Sequence, residues 1–414
     1  MNKWTHTTLG EIANIITGPF GSQLHQSDYV HEGIPIVMPQ NISDRKIDYS
    51  EINFISNVDA QRLSKYCTQE NDILYARRGD VEKHAFITKK DAGVYCGTGC
   101  LRVRLISEKV DPLYLSFFLN REETRKWLVS HAVGTNMPNL NTDILAAVPV
   151  CFPDLAKQRT ISFILNIIDE KINNNNRIND NLQQQAALLY DYWFAQFNFP
   201  DANGNPYRSS GGKMRWNEHL KREIPAMWNV LPLLEVISWE SNSQPPKSEF
   251  VYEPQEGYVR FIQNRDYDSN THKTYIPYSK NLSIVDRYDI LMDKYGDAGA
   301  VRYGIAGAFN VALGKIRVHD SAHREYVRSF LESNPIYTYL HNSCMASTRA
   351  SLSEANLSML YIAIPDSHTV SEYEKMLYKI RSSILKNNDE TEKLIELRDW
   401  LLPMLMNGQA TISD

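Results

Sequence analysis

The sequence predicts an α+β fold built twice. Two similar α+β domains are each followed by a long helix, and the two helices pack as an antiparallel coiled-coil-like spacer, making the chain pseudo-two-fold. Three observations predict this. The chain has 414 residues, more than one ordinary domain. It repeats itself once. Each copy ends in a long stretch with heptad-like apolar spacing. Hydrophobic residues make up 43% and charged residues 22%, so folded cores are expected and disorder is not.

The repeat carries most of the information. Asn71-Asp72-Ile73-Leu74-Tyr75 with Gly79-Asp80 matches Tyr288-Asp289-Ile290-Leu291-Met292 with Gly296-Asp297 at a single offset. Upstream, Gly33 to Asp44 resembles Gly257 to Asp268, which sets Gln40-Asn41 on Gln263-Asn264. Downstream, Leu101 to Arg104 resembles Lys315 to Val318, and both copies then reach a Pro-Asp pair, Pro153-Asp154 and Pro365-Asp366. Trp4 opens one copy and Trp228 the other. The period is too long for a solenoid repeat and marks a duplicated domain. A two-fold chain suits a two-fold ligand, and DNA read as paired half-sites is such a ligand.

Within each copy, Ile34 to Met38 and Gly99 to Leu105 read as strands, and glycines such as Gly93, Gly97, Gly299 and Gly304 as turns between strands. Asp111 to Val129 reads as a helix. The predicted domain order is 1–153 for the first α+β domain, 154–198 for its long helix, and 199–227 for a Gly/Pro/Asn/Ser-rich surface connector. It continues with 228–367 for the second α+β domain, 368–408 for the distal helix, and 409–414 for a tail. Asp154 is placed to cap the central helix. The expected seam is Ile161, Ile164, Ile168, Ile178, Leu182, Leu189 and Tyr192, with Lys171, Asn175 and Gln185 making a polar middle. The distal seam runs through Tyr373, Leu377, Ile380, Ile384, Leu394, Leu397, Leu401 and Met404, with Asn387 and Thr391 polar. Some 40 helical residues span about 60 Å, a length suited to a ruler. Tyr190, Trp193, Phe194 and Trp400 near the helix ends are the candidate partner-binding residues, with packing on the neighbouring domain as an equal second reading.

The central block then becomes specific. Lys157-Gln158-Arg159 leads into Ile168-Asp169-Glu170-Lys171-Ile172, Asn173 to Asn176, Tyr192-Trp193-Phe194, Phe199-Pro200 and Gly204-Asn205-Pro206-Tyr207. This block resembles the central conserved region of the specificity (S) subunits of Type I restriction-modification systems. Trp4-Thr5 with Leu9-Gly10-Glu11-Ile12 resembles the start of that family's target recognition domains. The resemblance implies that each α+β domain reads half of a split DNA target. It implies that the long helices set the spacer and dock two methyltransferase (M) subunits. Those subunits bind S-adenosylmethionine and methylate adenine at N6, with or without restriction (R) subunits. The S subunit itself binds no cofactor and does no chemistry. The distal helix lacks clear copies of the Gln-Arg and Ile-Asp signatures.

The enzyme alternatives, a self-contained DNA methyltransferase or nuclease, find little support. The nearest string to a base-amino-binding tetrad is Asn334-Pro335-Ile336-Tyr337, read as a turn, and no phosphate-binding GxxxxGK(S/T) loop occurs. His319 with His323, and Cys96 with Cys100, lack the further ligands zinc needs. The five cysteines are scattered and read as reduced thiols. The N-terminus has no signal-peptide pattern, so the expected location is cytoplasmic. Net charge is −5, so any DNA-binding face must be local or completed by a partner. Base reading favours Arg, Lys, Asn and Gln, and phosphate contact favours Arg and Lys with hydroxyls. The candidates are Gln40, Asn41, Arg77, Arg78, Thr135, Asn136 and Asn139 in the first domain. In the second they are Gln263, Asn264, Arg265, Lys294, Tyr295, Ser347, Thr348 and Arg349. The Gln-Asn pair has a second reading, as a turn-forming structural element.

Overall fold

In each half, the long helix begins at an aspartate that turns the chain out of the last strand. Asp154 accepts the Lys157 N–H, and Asp366 the Thr369 N–H. This is the N-capping the repeated Pro-Asp pair predicts. The computed structural model describes residues 4–134, 138–270, 272–345 and 351–410. The chain divides into two units, residues 1–174 with 391–414 and residues 175–390. The division cuts both long helices, so each unit holds one α+β domain plus parts of both.

The first unit has a four-stranded sheet of Ala13–Thr17, Cys100–Leu105, Ile73–Ala76 and His84–Phe86, in that spatial order. A second sheet holds Tyr95–Cys96, Ile34–Val37, Asn53–Ile55 and Tyr29–Val30. The second unit repeats the first sheet with Ile237–Glu240, Leu313–Val318, Ile290–Asp293 and Val301–Arg302, and has its own second sheet around Tyr258–Ile262. In both units a short parallel pair sits in an otherwise antiparallel second sheet: Ile36 against Tyr95, and Phe261 against Ala308. The N-terminal strand of each domain pairs with its last one, Thr5–Thr8 with Pro149–Phe152 and Asn229–Pro232 with Tyr361–Ile364. Each domain is thereby closed where its long helix departs.

The expected helix 111–129 is two helices, Pro112–Leu119 and Glu122–His131. Asp111 caps the first by accepting the Tyr114 N–H. Asn334 to Tyr337, expected as a turn, instead opens the helix Asn334–Met345. Here the proline sits in the first turn, where its missing N–H costs nothing. The connector is also more than a surface loop. Phe199 and Tyr207 are buried, and Phe199 stacks on both Tyr207 and Trp228.

The long helices span Leu155–Tyr190 and Ser367–Met406, and the first runs on into a π-helical turn, Asp191–Ala195. Within the first unit, Ile161 and Leu165 share a core with Leu402, Leu405 and Met406, and Asp169 pairs with Arg398. Within the second, Asn175 meets Glu390, Asn179 meets Asn387 and Asn388, and Phe194 meets Tyr373. In both units residue numbers rise on one helix as they fall on the other, so the paired segments are antiparallel.

The seam of the central helix differs from the expected one at every second position. Ile161, Ile168 and Asn175 are buried as expected, but the intervening buried residues are Leu165, Ile172, Asn179 and Ala186. Ile178 and Tyr192, expected in the seam, are exposed. The seam spacing alternates four and three residues rather than three and four, because the larger apolar set on the sequence is not the set that meets the partner helix.

Candidate nucleic-acid interface

The strand Ile73–Ala76 delivers Arg77 to the end of its sheet. The Arg77 N–H donates to the Gly99 carbonyl at 2.7 Å, and the Arg77 carbonyl accepts the Leu140 N–H at 2.8 Å. Ile290–Asp293 delivers Lys294 identically: its N–H donates to the Ala312 carbonyl, and its carbonyl accepts the Leu352 N–H. The next turn holds Gly79 (φ 78°) in one unit and Gly296 (φ 72°) in the other, a left-handed backbone that glycine adopts without steric cost. Each cation leans on an aromatic. The Arg77 guanidinium lies 5.9 Å from the Phe20 ring, and the Lys294 ammonium 5.9 Å from Trp239. Arg77 Nε also donates to Asn139 Oδ1 at 3.3 Å, a long bond, and Lys294 Nζ reaches Ser241 Oγ at 3.4 Å. Arg78 and Tyr295, the next residues, are exposed. Two side chains of equal charge thus stand at one register position of two equivalent sheets, among exposed Phe20 and Tyr295.

The other matched cluster needs a correction. Parallel pairing equates Val37 with Ile262, since Gly97 N–H donates to the first carbonyl and Asn310 N–H to the second, both at 2.9 Å. Met38 then corresponds to Gln263, Gln40 to Arg265, and Asn41 to Asp266. Asn41 is 2% exposed. Its Oδ1 accepts the Met38 N–H at 3.0 Å, and its amide donates to the Asp48 and Glu51 carbonyls. Asp266, 3% exposed, accepts the Gln263 N–H at 3.0 Å and pairs with Arg260 at 2.7 Å. Burial pushes the Asp266 carboxyl above the usual range, against the pull of that N–H and of Arg260. Asn41 is therefore spent on holding its turn and is not free to read a base. Gln263 is half-buried and donates to Thr274 Oγ1. Asn264 is half-buried, while Gln40 and Arg265 are exposed. Sequence alignment alone missed the Gln40–Arg265 match because chemically unlike residues occupy it. Thr135, Asn136, Ser347, Thr348 and Arg349 lie outside the described residues.

The partner-binding expectations divide. Trp193 and Phe194 do not face outward. They are buried in the second unit's core with Trp228, Tyr326 and Tyr373, with Phe194 4.6 Å from Tyr326 and 4.7 Å from Tyr373. The π-helical turn directs them inward, toward the aromatic residues that close the domain. Tyr190 packs against the same core, and burial pushes its phenol well up. Trp400 is 60% exposed. The central helix also exposes Phe163 and Ile167, one turn apart, in the first unit, and Ile178 and Leu188 in the second.

The second unit has a cleft of about 840 Å³ lined in part by Arg222, Arg302, Arg381, Tyr190 and Tyr303. Its arginines are already engaged: Arg222 with the Ala195 carbonyl, Arg302 with Asp293, and Arg381 with Glu332. Among the described residues, no group of three His, Cys, Asp or Glu side chains is arranged to hold a metal ion, and no helix is long and apolar enough to cross a membrane. Cys96 is buried, and burial pushes its thiol up to about 12, so it is an unreactive core thiol.

Each unit thus presents a cation at the same register position of an equivalent sheet and holds antiparallel segments of the two long helices. The profile of the Type I restriction modification DNA specificity domain matches residues 1–184 and again 225–397. The chain belongs to that family and is a specificity subunit of a Type I restriction-modification system. It is similar to the Type I restriction enzyme MjaIX specificity subunit of Methanocaldococcus jannaschii, 23% identical over 73% of this chain and 69% of that protein. It is similar to the Type I restriction enzyme HindI specificity subunit of Haemophilus influenzae, 20% identical over 99% of this chain and 100% of that one. Its fold resembles the crystal structure of the Type I restriction-modification S subunit from M. genitalium, with a TM-score of 0.63, 14% identity, and coverage of 100% and 97%.

Proposed function

We propose that the chain is a non-catalytic DNA reader. Each unit reads one half of a split duplex target, and the long helices recruit two M subunits, with or without R subunits. Those M subunits carry S-adenosylmethionine and methylate adenine at N6; this chain binds no cofactor. A complex of this kind works where the chromosome is, in the cytoplasm.

The observation that carries the reading is the register match of Arg77 and Lys294. One cation at one sheet end, used twice, is what two half-sites of a single duplex require of a protein that neutralises phosphate in both. Arg78 and Tyr295 follow those cations in the chain and Asn139 accepts from Arg77, and these three supply further polar contact. Exposed apolar residues on the long helices, Phe163, Ile167 and Trp400 in the first unit and Ile178 and Leu188 in the second, support helix-mediated docking of the M subunits.

The test is a methylation map of DNA from cells carrying this chain with its M subunit, compared with cells lacking the chain. The expected result is methylated adenine in two short half-sites around a fixed unread gap, only when the chain is present. Absence of new methylation, with the M subunit active beside another S subunit, overturns the proposal. Transfer of methyl groups by the purified chain alone with S-adenosylmethionine overturns the non-catalytic part.

A further inference from the structure

We infer that Gln40 and Arg265 are the paired specificity-determining residues of the two units: Arg265 reads a guanine in one half-site, and Gln40 an adenine at the corresponding step of the other. The inference rests on the two-half-site reading proposed above and names which side chains set the sequence.

Three observations carry it. First, the two residues occupy one structural position. Each directly precedes the buried side chain that caps a tight turn, Asn41 or Asp266, and each turn follows a strand in the same parallel pairing. Their backbones are fixed by the same bonds: Asn41 N–H to the Met38 carbonyl and Asp266 N–H to the Gln263 carbonyl, both 2.9 Å. Second, both side chains are exposed on a rigid support. The residues that flank them in the sequence, Asn41 and Asp266, are locked.

Third, each turn packs against the sheet that carries its unit's phosphate-type cation. Pro39 packs so closely on Gly99 that a Cβ there would stand 3.1 Å from the Pro39 ring, and the Gly99 carbonyl holds the Arg77 N–H. In the second unit, Tyr267 ends the turn with the Arg302 guanidinium 5.7 Å from its ring, and Arg302 pairs with Asp293, the residue before Lys294.

The two copies also differ in the informative way. Where they keep one charge, at Arg77 and Lys294, they serve what both half-sites share, the phosphate backbone. Where the same exposed position changes from glutamine to arginine, they serve what the half-sites do not share, the base. Arginine forms its bidentate contact with guanine O6 and N7, and glutamine with adenine N6 and N7. Arg265 keeps its guanidinium available, with its nearest acid, Asp266, at 3.9 Å.

The test uses the complete complex of this chain with its M subunits. Its binding is measured on duplexes in which each base pair of the mapped target is permuted in turn. The wild-type complex is expected to prefer G·C at one position of one half-site by roughly 10- to 100-fold. Arg265→Ala is expected to erase that preference and leave the other half-site read as before. Arg265→Gln is expected to move it toward A·T, and Gln40→Arg to move one A·T position of the other half-site toward G·C. Both positions are exposed, and unchanged thermal unfolding of each variant confirms an intact fold. A wild-type complex with no split target overturns the two-half-site reading and this inference with it. A split target whose base preferences stay within twofold in all three variants overturns the inference alone. So does a variant that flattens both half-sites together.

Discussion

The two units share a strand register but anchor their long helices differently. In the first, Gln158 is fully buried at the start of the central helix. It accepts the Asp111 N–H at 2.8 Å and donates to the Lys109 and Pro153 carbonyls. Counting from the shared Pro-Asp pair, the second unit puts Val370 at that place, also buried, and an acid one turn later does the polar work: Glu374 accepts the Tyr326 N–H at 2.8 Å. Further along, Asp169 binds Arg45 and Arg398 in a largely buried ion cluster, and the same count puts the buried Arg381 at that place in the second unit, paired with Glu325 and Glu332. The missing Gln-Arg and Ile-Asp signatures of the distal helix are therefore replaced by other chemistry doing the same job. What the duplication preserves is backbone geometry; the side chains that satisfy it are free to change.

The comparison can be broken at its aromatic ends first. Trp228 is fully buried under Phe194, Phe197 and Phe199, while its counterpart Trp4 is half-buried beside Gly408. Trp228→Ala should cost about 3–5 kcal/mol, confined to the second unit, and Trp4→Ala clearly less. Unit-resolved hydrogen exchange during urea unfolding measures both, and equal losses would refute the asymmetry.

The ion pairs come next. Asp169→Ala leaves the buried Arg45 guanidinium without its counter-charge and should cost about 3 kcal/mol or more. Asp389→Ala removes the half-exposed pair with Arg287 and should cost about 1 kcal/mol. Denaturant midpoints of the two variants decide this.

Acidity should move the units in opposite directions. Burial first, then the Arg45 charge, pushes His84 down to about 3 from its ordinary value of 6.5. Below about pH 6.5 the unfolded state takes a proton that the folded one refuses, so the first unit loses stability as pH falls toward 3. Burial pushes Glu374 up to about 7 from 4.5, against the pull of the Tyr326 and Glu325 N–H groups. Between about pH 4.5 and 7 the folded state holds a proton that the unfolded one releases, so this group makes the second unit less stable as pH rises through that window. Hydrogen exchange at pH 5 and 7 should show the first unit gaining protection with pH relative to the second. Glu374→Gln should remove the second unit's share of the difference, and a variant that leaves it intact would assign it elsewhere.

The smallest expected effect is at the proposed DNA face. Arg77→Ala and Lys294→Ala should each weaken binding of the assembled complex to all sequences alike, and each should reduce the salt dependence by about one phosphate. Loss of sequence preference in either variant would instead make that cation a base reader.

The sequence by itself determined the duplication, the α+β class, the long helices and their Pro-Asp starts. Each of these leaves a pattern along the chain: repeated spacing, a heptad, a capping residue. It also placed Arg77 and Lys294 together, because the Gly-Asp turn after them is a local signal. The seam phase, by contrast, was decided in three dimensions. Ile164 and Leu165 are equally apolar, and only the partner helix selects Leu165 for burial. The same holds for Trp193 and Phe194, which look like partner anchors in one dimension and are core residues once Trp228 and Tyr373 close over them. Asn41 and Gln40 are neighbours of similar chemistry, yet the turn buries one and exposes the other. Burial depends on what lies across the fold, and the partners that settle these cases are far away in the chain.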